Sequence, residues 1–267
     1  TYSAYYMKLS LSIIAILVII YLLALSLLYI FQRPLLFPAV GEVSDINRES
    51  IVFTNNDIDL NGWVLNQGKQ KAIIYFGGNA EQISGNINLF EDVLQEYSVY
   101  LVNYRGYGKS AGKPTEAGLF SDALFIYDQI KSKHSSISVI GRSLGSGVAV
   151  YLGANRIIEK LALLTPYDSI AEVAQSHYPM FPTRYLVRDR FESIHRAVDI
   201  TVPVLVVAAE FDLVVPNIHT EKLLNQLVNS KVIFQMVRNV THNNIDESEE
   251  YRAALFSFFQ INVDQIE

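Results

Sequence analysis

Ser143 stands at the centre of Gly141-Arg142-Ser143-Leu144-Gly145, after the apolar run Ile137-Ser138-Val139-Ile140 and before Ser146-Gly147-Val148-Ala149-Val150-Tyr151. This G-x-S-x-G pattern, read as strand, tight turn and helix, is what a nucleophilic hydroxyl needs. The turn lifts the oxygen above a sheet, and the glycines leave room for it. A serine at a helix start also meets the positive end of the helix dipole, which favours negative charge on a reacting oxygen. The competing reading is a glycine-rich turn with an incidental serine. The strand before and the helix after favour the nucleophile.

A serine hydroxyl needs a base, and the base needs an orienting carboxylate. With a nucleophile on this kind of turn, the chain order is serine, acid, histidine. Of the five histidines, His134 precedes Ser143, His177 and His195 lie within 165–200, and His219 lies in a helical segment. Those four are read as surface residues. His242, in the polar stretch Val240-Thr241-His242-Asn243-Asn244 after the last strand, is the candidate base. Asp212, after the apolar run at 204–208, is the candidate acid, with Glu210 nearer the strand end. Asp168, after the run at 161–164, competes for that role. An oxyanion needs two backbone N–H donors. One comes from Leu144, and the other is expected from Gly77-Gly78-Asn79-Ala80. That loop lacks the glycine spacing and lysine of a phosphate-cradling loop.

The chain that must position these groups has 267 residues, half of them hydrophobic, with a net charge of -6 and no cysteine. Disorder, thiolate metal sites, iron–sulfur clusters and cysteine nucleophiles are excluded. The charge gives a nucleic-acid partner no electrostatic support.

Residues 9–31 form an uncharged run of 23. As a helix it would reach ~34 Å, enough for a hydrocarbon core of ~30 Å. A buried core helix of this uniformity is improbable. A cleaved signal peptide would have a shorter apolar run ending in small residues, whereas this one ends in Tyr29-Ile30-Phe31-Gln32-Arg33-Pro34. The reading is an uncleaved single-span anchor with Tyr29, Phe31 and Arg33 at the interface, ending near Arg33 because Pro34 cannot continue the hydrogen-bond ladder. Met7-Lys8 reads as a natural start. A short basic start before a long apolar run leans toward a catalytic region outside the cytoplasm.

Beyond the anchor, 51–54 and 60–65 read as a hairpin, and 72–76, 99–102, 137–140, 161–164, 204–208 and 232–237 as buried strands. Helical patterns cover 83–97, 116–130, 219–228 and 249–259, the last with Asp246 and Glu249 as a capping box. Alternation of strand and helix implies an α/β fold, a mostly parallel eight-stranded sheet with helices on both faces. Residues 165–200 carry no long strand and read as a cap-like excursion over the sheet edge. The expected division is an anchor at 9–31 and a catalytic domain at 33–267.

With these residues in place, the chain resembles the α/β-hydrolase superfamily, in particular its single-span, membrane-anchored serine hydrolases, depalmitoylase-like and serine aminopeptidase- or lipase-like. Six stretches carry the resemblance: 31–38, 75–80, 103–110, 141–145, 211–216 and 241–243. The resemblance implies Ser143 as nucleophile, Asp212 as acid, His242 as base, and the backbone of Asn79 and Leu144 as the oxyanion hole. It implies hydrolysis of an ester or thioester, with a small-molecule or lipid-like acyl substrate, no cofactor and no metal. Alternatives are a serine peptidase of the same fold and a non-catalytic, membrane-anchored binding module. One departure is Gly77, where the family usually has a histidine that supports the loop. Arg105 is expected to brace the loop beside the catalytic turn.

Overall fold

The computed structural model describes residues 2–38, 40–41 and 46–261. The carboxyl-terminal residues 262–267 of the expected catalytic domain lie outside the described residues. Among the described residues, eight strands form one sheet in the order β1-β2-β4-β3-β5-β6-β7-β8. The hairpin β1 (Ser50–Asn55) and β2 (Ile58–Leu65) is antiparallel and joins β4 (Tyr97–Val102) antiparallel. From there the sheet is parallel through β3 (Lys71–Phe76), β5 (Ser136–Arg142), β6 (Leu161–Leu164), β7 (Val204–Phe211) and β8 (Val232–Thr241).

Period-two alternation divides the strand side chains between two cores. Ile74, Phe76 and Val139 face a layer with α3 (Glu116–Ile130) and α4 (Leu144–Asn155). Ile73, Tyr75 and Ile140 face a layer with α2 (Ile87–Val93) and α9 (Glu249–Gln260). Burial on both faces explains why these strands read as near-continuous apolar runs. Each such Ile or Val stabilises the fold by about 1.5–3 kcal/mol relative to its exposure. Helix α3 has its expected start because Thr115 accepts the Gly118 N–H there.

Several local expectations differ. The helix expected over 219–228 runs from Asn217 to Leu224. The helix expected over 83–97 is a 3₁₀ turn at Ile83–Asn86 followed by α2 alone, because Tyr97 is taken by parallel pairing with Lys71. The cap of α9 is Ser248, which accepts the Glu250 N–H, rather than Asp246 with Glu249. The apolar helix α1 (Tyr2–Leu36) runs through Pro34 to Leu36. Pro34 leaves the Ile30 carbonyl without its ladder donor, but it lies in the last turn, and the helix closes beyond it as Phe37 N–H reaches the Arg33 carbonyl at 2.7 Å. Helix α1 is long and apolar enough to cross a membrane, and none of its residues is buried.

The excursion leaves the carboxyl end of β6, an interior strand. It contains α5 (Ile170–His177), α6 (Thr183–Leu186) and α7 (Ser193–Arg196) before returning to β7. It packs against α1: Arg188 N–H donates to Gln32 Oε1 at 2.7 Å, and Arg33 pairs with Asp189 at 2.8 Å. The strand order, with its crossovers, leaves the carboxyl ends of β3, β5, β7 and β8 around one site.

Candidate active site

Ser143 links β5 to α4 with φ 48° and ψ −117°, a backbone region that side chains other than glycine rarely adopt. Its neighbours must be small. A Cβ on Gly145 would lie 2.0 Å from the Phe76 carbonyl oxygen, and one on Gly141 would lie 2.4 Å from that of Gly145. The Ser143 N–H donates to the Leu164 carbonyl at 2.8 Å, and Ser146 Oγ–H donates to the Ser143 carbonyl at 2.7 Å. Both bonds hold the turn in place.

His242 follows β8 and reaches back over this turn. Its Nε2 lies 2.9 Å from Ser143 Oγ, and its Nδ1 lies 2.7 Å from Asp212 Oδ2. An ionised carboxylate only accepts, so Nδ1 carries the proton and Nε2 is free to accept from the serine hydroxyl. The other oxygen of Asp212 accepts the N–H groups of Val214 at 3.0 Å and Val215 at 2.7 Å, which fixes the carboxylate in its loop after β7. All three side chains are buried.

The competing acid, Asp168, is engaged elsewhere. Its Oδ1 accepts from His219 Nδ1 at 2.8 Å, and Lys222 Nζ lies 3.5 Å from Oδ2. His219, on α8 (Asn217–Leu224), is therefore not the surface residue that the sequence suggests. It is fully buried, with Nε2 2.9 Å from Ser176 Oγ. The missed signal is its i,i+4 spacing to Leu223, which shares the inward face of the helix. His134 is half-buried and hydrogen-bonded to Tyr100. His177 and His195 are exposed.

A half-buried ion network, which the sequence does not announce, braces the loops around Ser143. Glu81 accepts the Gly78 N–H, Tyr75 O–H at 2.7 Å and Asn86 Nδ2 at 2.6 Å. Arg142, next to Ser143, lies 3.5 Å from Glu81, 3.4 Å from Asp246 and 3.4 Å from the His242 carbonyl. Burial alone would lower the Arg142 pKa, but the Glu81 and Asp246 carboxylates more than offset it, so the guanidinium stays charged. Burial, reinforced by Glu81, holds the Tyr75 hydroxyl well above its ordinary pKa, so it remains a donor. Tyr104 O–H donates to the Gly77 carbonyl at 2.8 Å. A Cβ at Gly77 would lie 2.6 Å from Ile83 Cγ2, which accounts for the glycine there. Arg105 makes a two-pronged pair with Asp122 of α3, at 2.7 and 2.6 Å, and so ties its loop to the helix layer.

Ser143, Leu144 and Asn79 line one wall of a cavity of about 400 Å³, a size typical of small-molecule sites. The rest is largely apolar, from Ile170, Val173 and Val187 of the excursion and Leu25, Leu28 and Leu36 of α1. A smaller cavity of about 280 Å³ around Arg48, Asn61 and Trp63 contains none of Ser143, His242 and Asp212.

A doubly wound sheet of this order, with a serine on a strained strand–helix turn facing an apolar cavity, defines a hydrolase of the α/β class. The chain is 32% identical over 250 residues to the uncharacterized protein MT2364 of Mycobacterium tuberculosis, covering 88% of this chain and 89% of that protein. It is 35% identical over 190 residues to the lysophosphatidylserine lipase ABHD12 of Danio rerio, covering 62% of this chain. The match spans about half of that lipase, 49% of its length. In structure it is similar to the Pyrococcus furiosus esterase Pf2001, with a TM-score of 0.66 over 84% of this chain and 97% of that one, at 16% identity. No family model matches the chain. The chain belongs to the α/β-hydrolase superfamily.

Proposed function

We propose that the chain is a membrane-anchored hydrolase that cleaves acyl esters or thioesters through a Ser143–His242–Asp212 triad and a covalent acyl-enzyme. The observation that carries this reading is the unbroken hydrogen-bonded chain from Asp212 through His242 to Ser143, ending in an apolar cavity. His242 takes the Ser143 proton as Oγ attacks the acyl carbonyl. Asp212 holds the imidazole in the required tautomer and stabilises the imidazolium that forms. The N–H groups of Leu144, at the start of α4, and of Asn79 receive the oxyanion. His242 then protonates the leaving group, and water repeats the sequence to release the acid.

The apolar lining supports a substrate with an acyl chain, as does the likeness to a lysophosphatidylserine lipase. Helix α1 serves as the single membrane span, and the catalytic domain follows it. The test is turnover of p-nitrophenyl esters and acyl thioesters of graded chain length by the full chain in detergent. The expected result is activity that rises with chain length beyond acetate. Cleavage of peptide amides in preference to every ester would support the peptidase reading instead.

A further inference from the structure

The contacts between α1 and the excursion are sorted along the helix. At its carboxyl end they are polar: Arg33 with Asp189, Gln32 with the Arg188 N–H, and the Arg188 guanidinium 4.3 Å above the Tyr29 ring. Further toward the amino terminus they become apolar. Tyr21 stacks on Phe181 with centroids 5.2 Å apart, and its hydroxyl donates to the Met180 carbonyl at 3.0 Å. Tyr21 precedes Tyr29 by two helical turns, so the Met180–Phe181 tip sits ~12 Å beyond the Tyr29–Arg33 level along the helix axis.

That tip is uncovered and apolar except for Arg184, which pairs with Glu172 at 3.0 Å. Met180 is 78% exposed and Tyr185 is 79% exposed, with Pro179 and Pro182 also exposed. Tyr29, Arg33 and Arg188 have the composition of a membrane–water interface. If Tyr29 and Arg33 lie at that interface, the helical rise places Met180 and Phe181 among the acyl chains of the same leaflet. The cavity at Ser143 opens at Leu25 and Leu28, between these two levels, and runs along α1 to Leu36, past the Arg33 level, with α5 and α6 as its other walls.

We propose that residues 178–185 form a second membrane-inserted element, seated in the leaflet beside the carboxyl-terminal half of α1. The acyl substrate then enters the cavity laterally from that leaflet. This rests on the reading of α1 as a span and assigns the occupant of the exposed tip: the acyl region of a phospholipid leaflet. Burial of Met180 and Tyr185 there removes apolar surface from water, and Arg188 is left at headgroup depth to meet phosphate.

The chain has no cysteine, so single-cysteine variants can be spin-labelled without removing others. Met180→Cys, Ile16→Cys in α1 and Ile157→Cys are labelled in the full chain and reconstituted in phosphatidylcholine–phosphatidylglycerol vesicles. Ile157 is 90% exposed, at the far end of α4 from Ser143. Collision rates with oxygen and with a water-soluble nickel chelate report depth. The expected result is that the Met180 label, like the Ile16 label, favours oxygen, while the Ile157 label favours the chelate. If Ile16 is in lipid but Met180 is in water, the insertion is overturned and the span stands. If Ile16 is also in water, the span itself fails and the insertion with it. A Met180 label shielded from both reagents would mean a protein partner covers the tip, which also overturns the proposal. Met180→Asp should raise KM for a long-chain ester in vesicles about tenfold or more, and leave kcat/KM for soluble p-nitrophenyl acetate unchanged. Equal loss on both substrates would overturn lateral entry.

Discussion

Arg33 and Asp189 form an ion pair at 2.8 Å that joins the end of α1 to the excursion, and the same carboxylate accepts the Glu116 N–H at the start of α3. The two partners are unequal: the Arg33 side chain is 44% exposed and that of Asp189 is 4% exposed. Arg33→Met should therefore cost about 1 kcal/mol, since solvent already screens the arginine and Asp189 keeps one donor. Asp189→Ala should cost about 2–3 kcal/mol, because it also strands the half-buried helix-start N–H. Thermal unfolding in detergent checks the order; an equal loss in both variants would mean that the Glu116 bond contributes nothing.

Asp212→Asn should lower kcat by about 10⁴-fold, because the amide no longer fixes the tautomer of His242. Asp168→Asn should leave kcat within a few-fold and lower stability by about 1–3 kcal/mol, because it disturbs buried His219. Steady-state kinetics beside unfolding curves separate the two. A larger kcat loss in Asp168→Asn would move the acid to the end of β6.

Glu81→Gln should reduce kcat about tenfold or more with little change in KM. The Gly78 N–H and Arg142 would lose their carboxylate, and the Asn79 loop and the Ser143 turn would lose their common brace. Gly77→Ala should destabilise the protein by about 1–3 kcal/mol, since its Cβ meets Ile83. If both variants behave as wild type, the loop is held by its backbone alone.

A chain beginning near Arg33 lacks Leu25, Leu28, Tyr29 and Gln32, which line the cavity. It should turn over p-nitrophenyl acetate within a few-fold of the full chain and show a KM about tenfold higher for long acyl esters in detergent. KM measured against chain length is the check. Identical profiles in the two proteins would mean that the wall formed by α1 is not used by substrate.

The strands and α3 were legible because burial on both faces leaves continuous apolar runs, and because Thr115 marks a helix start. Ser143 was legible through its glycines, each of which faces a backbone oxygen closer than any Cβ tolerates. The placement of His242 between Asp212 and Ser143 follows the chain order the sequence offers. What the sequence hid depends on contacts between distant segments. Glu81 and Arg142 are 61 residues apart and meet only in the folded chain. His219 looked like a surface residue because its partners, Asp168 and Ser176, lie across the excursion. The run at 9–31 gave the apolar helix, but nothing in it announced that Leu25 and Leu28 would face the cavity.

On the proposed mechanism, His242 makes Ser143 nucleophilic. The most direct test is reaction of the full chain in detergent with a fluorophosphonate probe, followed by peptide mapping. One covalent adduct is expected, on Ser143, formed at least ~10³-fold more slowly in His242→Ala and absent in Ser143→Ala. No adduct on Ser143, or one that forms at the wild-type rate in His242→Ala, would contradict the mechanism.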